Sequence, residues 1–173
     1  MFKKGLKMGL IAGAVLAFLG LGYVYYVSYT SIKKNQETVV SKNFEELNIS
    51  LTDLEGKDIL LDQFREKKIL VNIWGTWCAP CIKEMPFLQE VYDEIKENHV
   101  FILISDESPE KVKKFINKNQ YDFEFLLTKK DLISVIKVFP TIFILDENKT
   151  IRKSIVGSLD RYSKKEFIEL LAK

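Results

Sequence analysis

One junction constrains this 173-residue chain more than any other feature. Trp77-Cys78-Ala79-Pro80-Cys81 stands where an apolar, β-rich run, Ile69-Leu70-Val71-Asn72-Ile73-Trp74, gives way to a stretch of helical periodicity. The run has the length and unbroken apolarity of a strand covered on both faces. Beyond the junction Ile82, Met85, Leu88, Val91, Tyr92 and Ile95 recur on a helical period, and Pro86 is expected to kink the helix by removing a backbone donor. The two cysteines therefore open a helix. Unpaired backbone N–H groups and the positive end of the helix dipole there favour a thiolate over a thiol. Cys78, first in the turn, is read as the exposed nucleophile. Cys81, one turn on and on the same side, is placed to attack a mixed disulfide. Pro80 stiffens the turn where a missing N–H costs nothing.

The same cysteines have blander readings. Half a zinc site needs more ligands, and the chain holds two cysteines and one histidine, His99, so no metal or other cofactor is expected. A static Cys-x-x-Cys disulfide closes too short a loop to staple much of a fold. Two inert core thiols fit poorly beside a tryptophan and a proline at a strand–helix junction. Other conspicuous residues read structurally. Trp74 is assigned to the core, Trp77 to shielding the motif, His99 to the surface, and Phe115, Phe123, Phe125, Phe143 and Phe167 to ordinary aromatic packing.

Around the junction, strand and helix signals alternate. Asn48–Leu51 and Ile59–Leu61 flank a turn at Glu55-Gly56-Lys57, which predicts a small hairpin. Val100–Ile104 reads as a second buried strand. Ser108-Pro109 gives an N-cap with proline at the first helical position, and Val112, Phe115 and Ile116 supply that helix's apolar face. Phe125–Leu127 is a short extended piece and Asp131–Ile136 a helical turn or two. Thr141–Leu145 and Ile151–Val156, joined across Asp146-Glu147-Asn148-Lys149, predict an antiparallel hairpin. Ser163 with Glu166 predicts a capping box opening a last helix that buries Phe167, Leu170 and Leu171. The pattern is that of one α/β domain, residues 46–173, with a mixed sheet and helices on both faces.

Residues 1–32 read differently. No charged side chain occurs from Met8 to Ile32, and Gly9 to Val27 is almost wholly apolar or small. At ~1.5 Å per residue, a run of that length nearly crosses a ~30 Å hydrocarbon layer. Tyr23, Tyr25, Tyr26 and Tyr29 crowd its end, where an interfacial aromatic belt belongs. A cleavable signal peptide competes, but it requires small residues where the chain has Tyr25-Tyr26-Val27-Ser28-Tyr29-Thr30. The expectation is an uncleaved single-pass transmembrane helix at about residues 9–27, followed by a polar linker over residues 33–45. Lys3, Lys4 and Lys7 precede the span and Lys33 and Lys34 follow it, a slight bias for a cytoplasmic N-terminus and an outside domain. Residues 33–173 hold 23 Lys and Arg against 24 Asp and Glu. Such a near-neutral domain offers nucleic acid no basic footprint.

Taken together, Trp77-Cys78-Ala79-Pro80-Cys81, the helical Pro86, and Phe139-Pro140-Thr141 ahead of the hairpin strand resemble the thioredoxin superfamily over roughly residues 45–173. The resemblance implies a thioredoxin fold, a redox-active Cys78–Cys81 disulfide and a cis Pro140 beside it. It also implies that the backbone at Phe139 pairs with an extended substrate. Cytoplasmic thioredoxins carry a buried aspartate in the strand before the motif, and here Asn72 takes that position. Glu84, three residues after Cys81, offers a carboxyl from the helix instead. Trp-Gly-Thr-Trp-Cys-x-Pro-Cys followed by x-x-Glu, together with the apolar N-terminus, resembles the ResA/TlpA-like group of extracytoplasmic reductants of the bacterial cytoplasmic membrane. That resemblance implies catalytic roles for Cys78, Cys81 and Glu84, with Trp77, Pro80, Phe139 and Pro140 at the substrate. It implies a protein disulfide as substrate, apocytochrome c foremost, and an integral membrane thiol carrier as electron donor. The direction of electron flow stays open, because the motif does not fix a reduction potential. An oxidase or isomerase of the same fold, and a non-catalytic module binding peptides beside Pro140, are the alternatives. A peroxiredoxin-like peroxidase calls for Thr-x-x-Cys, which this helix start lacks.

Overall fold

The computed structural model describes residues 17–26 and 43–172. The chain divides into two compact units, Met1–Val39 and Val40–Lys173. In the first, residues 17–26 are helical, with Phe18, Leu19, Leu21 and Val24 exposed. The predicted span begins and ends outside the described residues, as does most of the predicted linker. Among the described residues no helix is long and apolar enough to cross a membrane.

Among its described residues the second unit carries seven strands: β1 (Leu51–Thr52), β2 (Asp58–Ile59), β3 (Lys68–Ile73), β4 (His99–Ser105), β5 (Glu124–Leu127), β6 (Thr141–Leu145) and β7 (Ile151–Val156). Its helices are α1 (Ala79–Ile95), α2 (Pro109–Asn119), α3 (Leu132–Val135) and α4 (Lys164–Ala172), with 3-10 turns at Phe44–Leu47 and Leu61–Phe64. The strands form one mixed sheet in the order β2-β1-β5-β4-β3-β6-β7. Central β3 runs parallel to β4 and antiparallel to β6, so Asn72 stands opposite Leu103 on one side and Ile142 on the other. Its residues Ile69 to Ile73 are all buried, as an apolar run without alternation requires. The predicted N-terminal hairpin forms β1 and β2, turns at Gly56 with φ +88°, and joins the sheet at Thr52 opposite Leu127. Left-handed backbone of that kind suits glycine.

The parallel strands β3, β4 and β5 step in one direction, and right-handed crossovers then place α1 and α2 on the same face. On that face Leu70, Trp74, Phe101, Leu103 and Ile142 share a core with Leu88 and Val91 of α1, Val112 of α2, and Phe167 and Leu171 of α4. The sequence pattern suggests helices on both faces, whereas the three longer helices share one. The other face, with Ile69, Val71, Ile73 and Phe143, is buried as well, and Phe44 of the first 3-10 turn packs edge-on against Phe143 at 5.8 Å.

Local signals translate well. The capping box forms as predicted: Ser163 N–H donates to Glu166 Oε2 at 2.9 Å, and Glu166 N–H donates to Ser163 Oγ at 3.3 Å. Ser108 precedes α2, with Pro109 in the first turn, but its side chain makes no capping hydrogen bond. Helix α1 runs through Pro86 for 17 residues. Its buried face takes in Glu84, while Ile82, expected there, is only half-buried. His99 also departs from expectation. It is 8 % exposed rather than superficial, because as the first residue of β4 it tucks under α4. Nδ1 lies 3.3 Å from the Ile95 carbonyl and Nε2 3.3 Å from that of Leu171, and burial holds its pKa below the ordinary value.

Candidate active site

The site is built on the N-terminus of α1. Cys78 is its N-cap, with extended backbone at φ −87° and ψ 92°, and its Sγ accepts a hydrogen bond from Cys81 N–H at 3.3 Å. A disulfide joins Cys78 to Cys81. Pro80 lies in the first turn, where its missing N–H has no helical partner to lose. Cys78 is not the exposed residue that its position suggests: it is 3 % exposed, because its sulfur is bonded back onto the fully buried Cys81. What surface Cys78 retains opens into a groove of about 470 Å³. Trp77, Ala79 and Pro80 line it from the start of α1, and Ile133, Ile136, Lys137 and Phe139 line it from α3 and the segment beyond.

Two details shape that groove. Trp77 is 55 % exposed, and its indole packs against the Phe139 ring with centroids 5.1 Å apart. A Cβ on Gly75 would fall 2.5 Å from Trp77 Nε1, so glycine lets the indole lie back across the loop. The Phe139–Pro140 peptide bond is cis, in the position the resemblance implies. Pro140 is buried, and its carbonyl accepts from Gly157 N–H at 2.9 Å. Because Phe139 and Cys78 line one groove, the cis bond stands beside the disulfide.

Behind the sulfurs, Glu84 faces inward from α1 and is 5 % exposed. Asn72 Nδ2 donates to its Oε1 at 3.3 Å, and Leu159 N–H donates to its Oε2 at 3.4 Å. Burial is the largest influence and raises the Glu84 pKa from 4.5 to about 7. The two donors pull it down, and the nearby Asp160 carboxylate adds to the rise. The result is a proton acceptor poised near neutrality, one helical turn from Cys81. Asn72 is wholly buried, and its Oδ1 has no hydrogen-bond partner among the described residues.

The structure thus brings together Trp77, Cys78, Pro80, Phe139 and Pro140 around the groove, and places Glu84 beneath Cys81's turn. The sequence moves the acid from the strand position, held by Asn72, to Glu84 on the helix, and the fold puts the two residues in contact. Leu159 takes part through its backbone alone, which no side-chain pattern signals. Asp106, Glu107 and Ile133, all close to the groove, also escape notice because short motifs do not reach across the sheet.

A cysteine pair that closes a disulfide across the first turn of a helix is a device for disulfide exchange, and this mixed sheet with its cis-proline is a thioredoxin fold. The chain is a thioredoxin-fold thiol–disulfide oxidoreductase. It belongs to the AhpC/TSA family, whose model matches residues 41–154. Thiol-disulfide oxidoreductase ResA of Bacillus cereus is 34% identical over 167 residues, covering 92% of this chain and 90% of the relative. The ResA of Bacillus anthracis is 34% identical over 166 residues, covering 90% of each chain. Among solved structures, StoA from Bacillus subtilis aligns with a TM-score of 0.56 at 26% identity, over 69% of this chain and 92% of its own. A thioredoxin-family thiol:disulfide interchange protein from Chlorobium tepidum gives 0.59 at 22% identity, over 72% and 91%, a likeness of fold.

Proposed function

We propose that this protein reduces protein disulfides on the outer face of the bacterial cytoplasmic membrane, held there by its N-terminal segment, as a ResA-like step in cytochrome c maturation. The observation that carries the reading is the buried Glu84, held by Asn72 and titrating at about 7 behind the Cys78–Cys81 pair. Reduction begins when the Cys78 thiolate attacks one sulfur of a substrate disulfide. A mixed disulfide forms and the first substrate sulfur leaves as a thiolate. Glu84 then takes the proton of the Cys81 thiol, and the Cys81 thiolate attacks Cys78 Sγ, releasing the second substrate sulfur. Two electrons pass from the dithiol to the substrate, whose sulfurs leave as thiolates. The one proton of the Cys78 thiolate and Cys81 thiol rests on Glu84, which can return it to a leaving sulfur, and the Cys78–Cys81 disulfide remains. Because the extracytoplasmic space is oxidising, the dithiol is restored by an integral membrane thiol carrier.

Substrate binds in the groove beside Cys78, with the backbone at Phe139 and the cis-Pro140 bond aligning an extended peptide. The apolar lining from Trp77, Ile133 and Phe139 suits a peptide with an apolar residue next to its cysteine. Apocytochrome c, whose haem site is a Cys-x-x-Cys-His segment, is the substrate favoured by the resemblance to the ResA/TlpA-like group. Three measurements test the proposal. A Cys81→Ser protein is expected to stay disulfide-linked through Cys78 to apocytochrome c, and a Cys78→Ser protein with full reductase activity would overturn the assignment. Equilibration against glutathione fixes the direction, and a strongly oxidising potential would make the protein an oxidase.

A further inference from the structure

We infer that Asp106 and Glu107, adjacent on the loop after β4, are positioning residues that fix the spacing between the two walls of the Cys78 groove. Peptide substrates depend on that spacing more than small disulfides do. The inference rests on the disulfide-exchange reading above. Glu107 holds one wall. Its carboxylate accepts the backbone N–H of Thr76 through Oε2, and accepts the Thr76 hydroxyl through Oε1 at 2.9 Å. Its side chain is 7 % exposed, with Lys111 Nζ 3.7 Å away. Asp106 holds the other wall, since its Oδ2 accepts the N–H of Leu132, the first residue of α3, at 2.9 Å.

The neighbours of those two anchor points are the groove's exposed apolar residues. Thr76 precedes Trp77, and Leu132 precedes Ile133, which is 57 % exposed. Trp77 and Ile133 come from segments far apart in the chain, and one dipeptide hydrogen-bonds to the base of both. The dipeptide is itself fixed. Glu107 N–H donates to Ser105 Oγ at 3.2 Å, and the Ser105 carbonyl accepts Thr128 N–H from the end of β5 at 3.0 Å. Simple helix capping explains Asp106 alone, because it satisfies an orphan N–H of α3. It does not explain why the next residue turns its carboxylate to the loop carrying the catalytic cysteine. A peptide must touch both walls while its disulfide reaches Cys78, whereas a small disulfide needs only the sulfur.

The test uses the reduced full chain in detergent with two substrates: hydroxyethyl disulfide, and a synthetic peptide whose disulfide is flanked by phenylalanine. In Asp106→Ala and in Glu107→Ala, the ratio of kcat/KM for the peptide to that for hydroxyethyl disulfide is expected to fall about tenfold, mainly through the peptide KM. That is the size of losing a hydrogen bond to a charged group. Asp106→Asn and Glu107→Gln, which each keep an acceptor oxygen, should recover most of the ratio. Should an alanine variant fail to fold, Thr76→Val removes the hydroxyl contact alone and is read by the same ratio. Equal losses on both substrates, or an unchanged ratio in folded variants, would overturn the inference. A wild-type chain inactive on both substrates would overturn the disulfide-exchange reading instead.

Discussion

Asn72 of β3 holds Glu84 of α1 through an Nδ2–Oε1 hydrogen bond of 3.3 Å between two buried side chains. A donor to a carboxylate favours its charged form, so Asn72 works against the burial that pushes Glu84 up to about 7. Replacing Asn72 by leucine, which has the same γ-branched shape and number of side-chain heavy atoms but no polar group, removes that donor. The Glu84 pKa in Asn72→Leu is therefore expected to rise further above 4.5 than in the wild type. Infrared or NMR titration of the Glu84 carboxyl in the oxidised protein measures this directly. A midpoint that stays put or falls would mean that Asn72 does not tune the acid.

Glu84 also makes stability depend on pH. Its folded pKa, about 7, lies above the unfolded value of 4.5, so the folded state holds the proton more tightly. That stabilisation is full below pH 4.5 and is lost as pH rises through about 7. The linked difference is on the order of 3 kcal/mol. A Glu84→Gln protein has no proton to lose. Relative to wild type it should gain on the order of 2 to 3 kcal/mol between the acid and alkaline ends of that window. Urea unfolding of both oxidised proteins at the two pH values is the measurement, and a constant difference between them refutes the shift. The same variant should lose the limb near neutrality from its pH–rate profile.

Much of the site is legible because it is local. The cysteine turn, the Ser163–Glu166 cap and the β6–β7 hairpin are each fixed by residues within a few positions of one another. The cis state at Pro140 comes from the family resemblance, since a proline at a strand start is common for other reasons. The Asn72–Glu84 contact spans twelve positions and depends on how β3 lies under α1, which periodicity does not specify. His99 reads as a surface residue because a polar side chain at a strand start usually meets water. Its Nε2 instead meets a carbonyl of α4, 72 residues away, which only the tertiary fold supplies. The low exposure of Cys78 has the same origin, as it depends on the disulfide and on the fold around Cys81.

Gly75 offers a test of the groove that leaves the charged residues untouched. An added Cβ meets Trp77 Nε1 at 2.5 Å and Cε2 at 2.9 Å, contacts too short to persist. The indole ends an exposed side chain, so it swings away more cheaply than the buried loop can shift. Gly75→Ala should therefore separate Trp77 from Phe139 and raise the peptide KM, as Trp77→Ala does, with a stability cost below about 1 kcal/mol. Thermal unfolding and peptide-reduction kinetics on the two variants decide it. Gly75→Ala with wild-type kinetics, or with a collapse in stability larger than that of Trp77→Ala, would contradict this account of the loop.

On reduction the two sulfurs meet different surroundings. Cys78 Sγ already accepts the Cys81 N–H at 3.3 Å, and its remaining surface opens into the groove. A thiolate there keeps a backbone donor and the positive end of α1. Cys81 is wholly buried, and its proton must leave through the interior, where Glu84 stands one turn away. Limiting iodoacetamide at neutral pH should therefore modify Cys78 faster than Cys81 by on the order of tenfold or more. Peptide mapping by mass spectrometry reads the ratio. In Cys78→Ser the lone Cys81 should label slowly, and slower still in the double variant with Glu84→Gln, which removes its proton acceptor. Comparable labelling of the two cysteines would dissolve the distinction between attacker and resolver, and with it the rationale for trapping substrates on a Cys81→Ser protein.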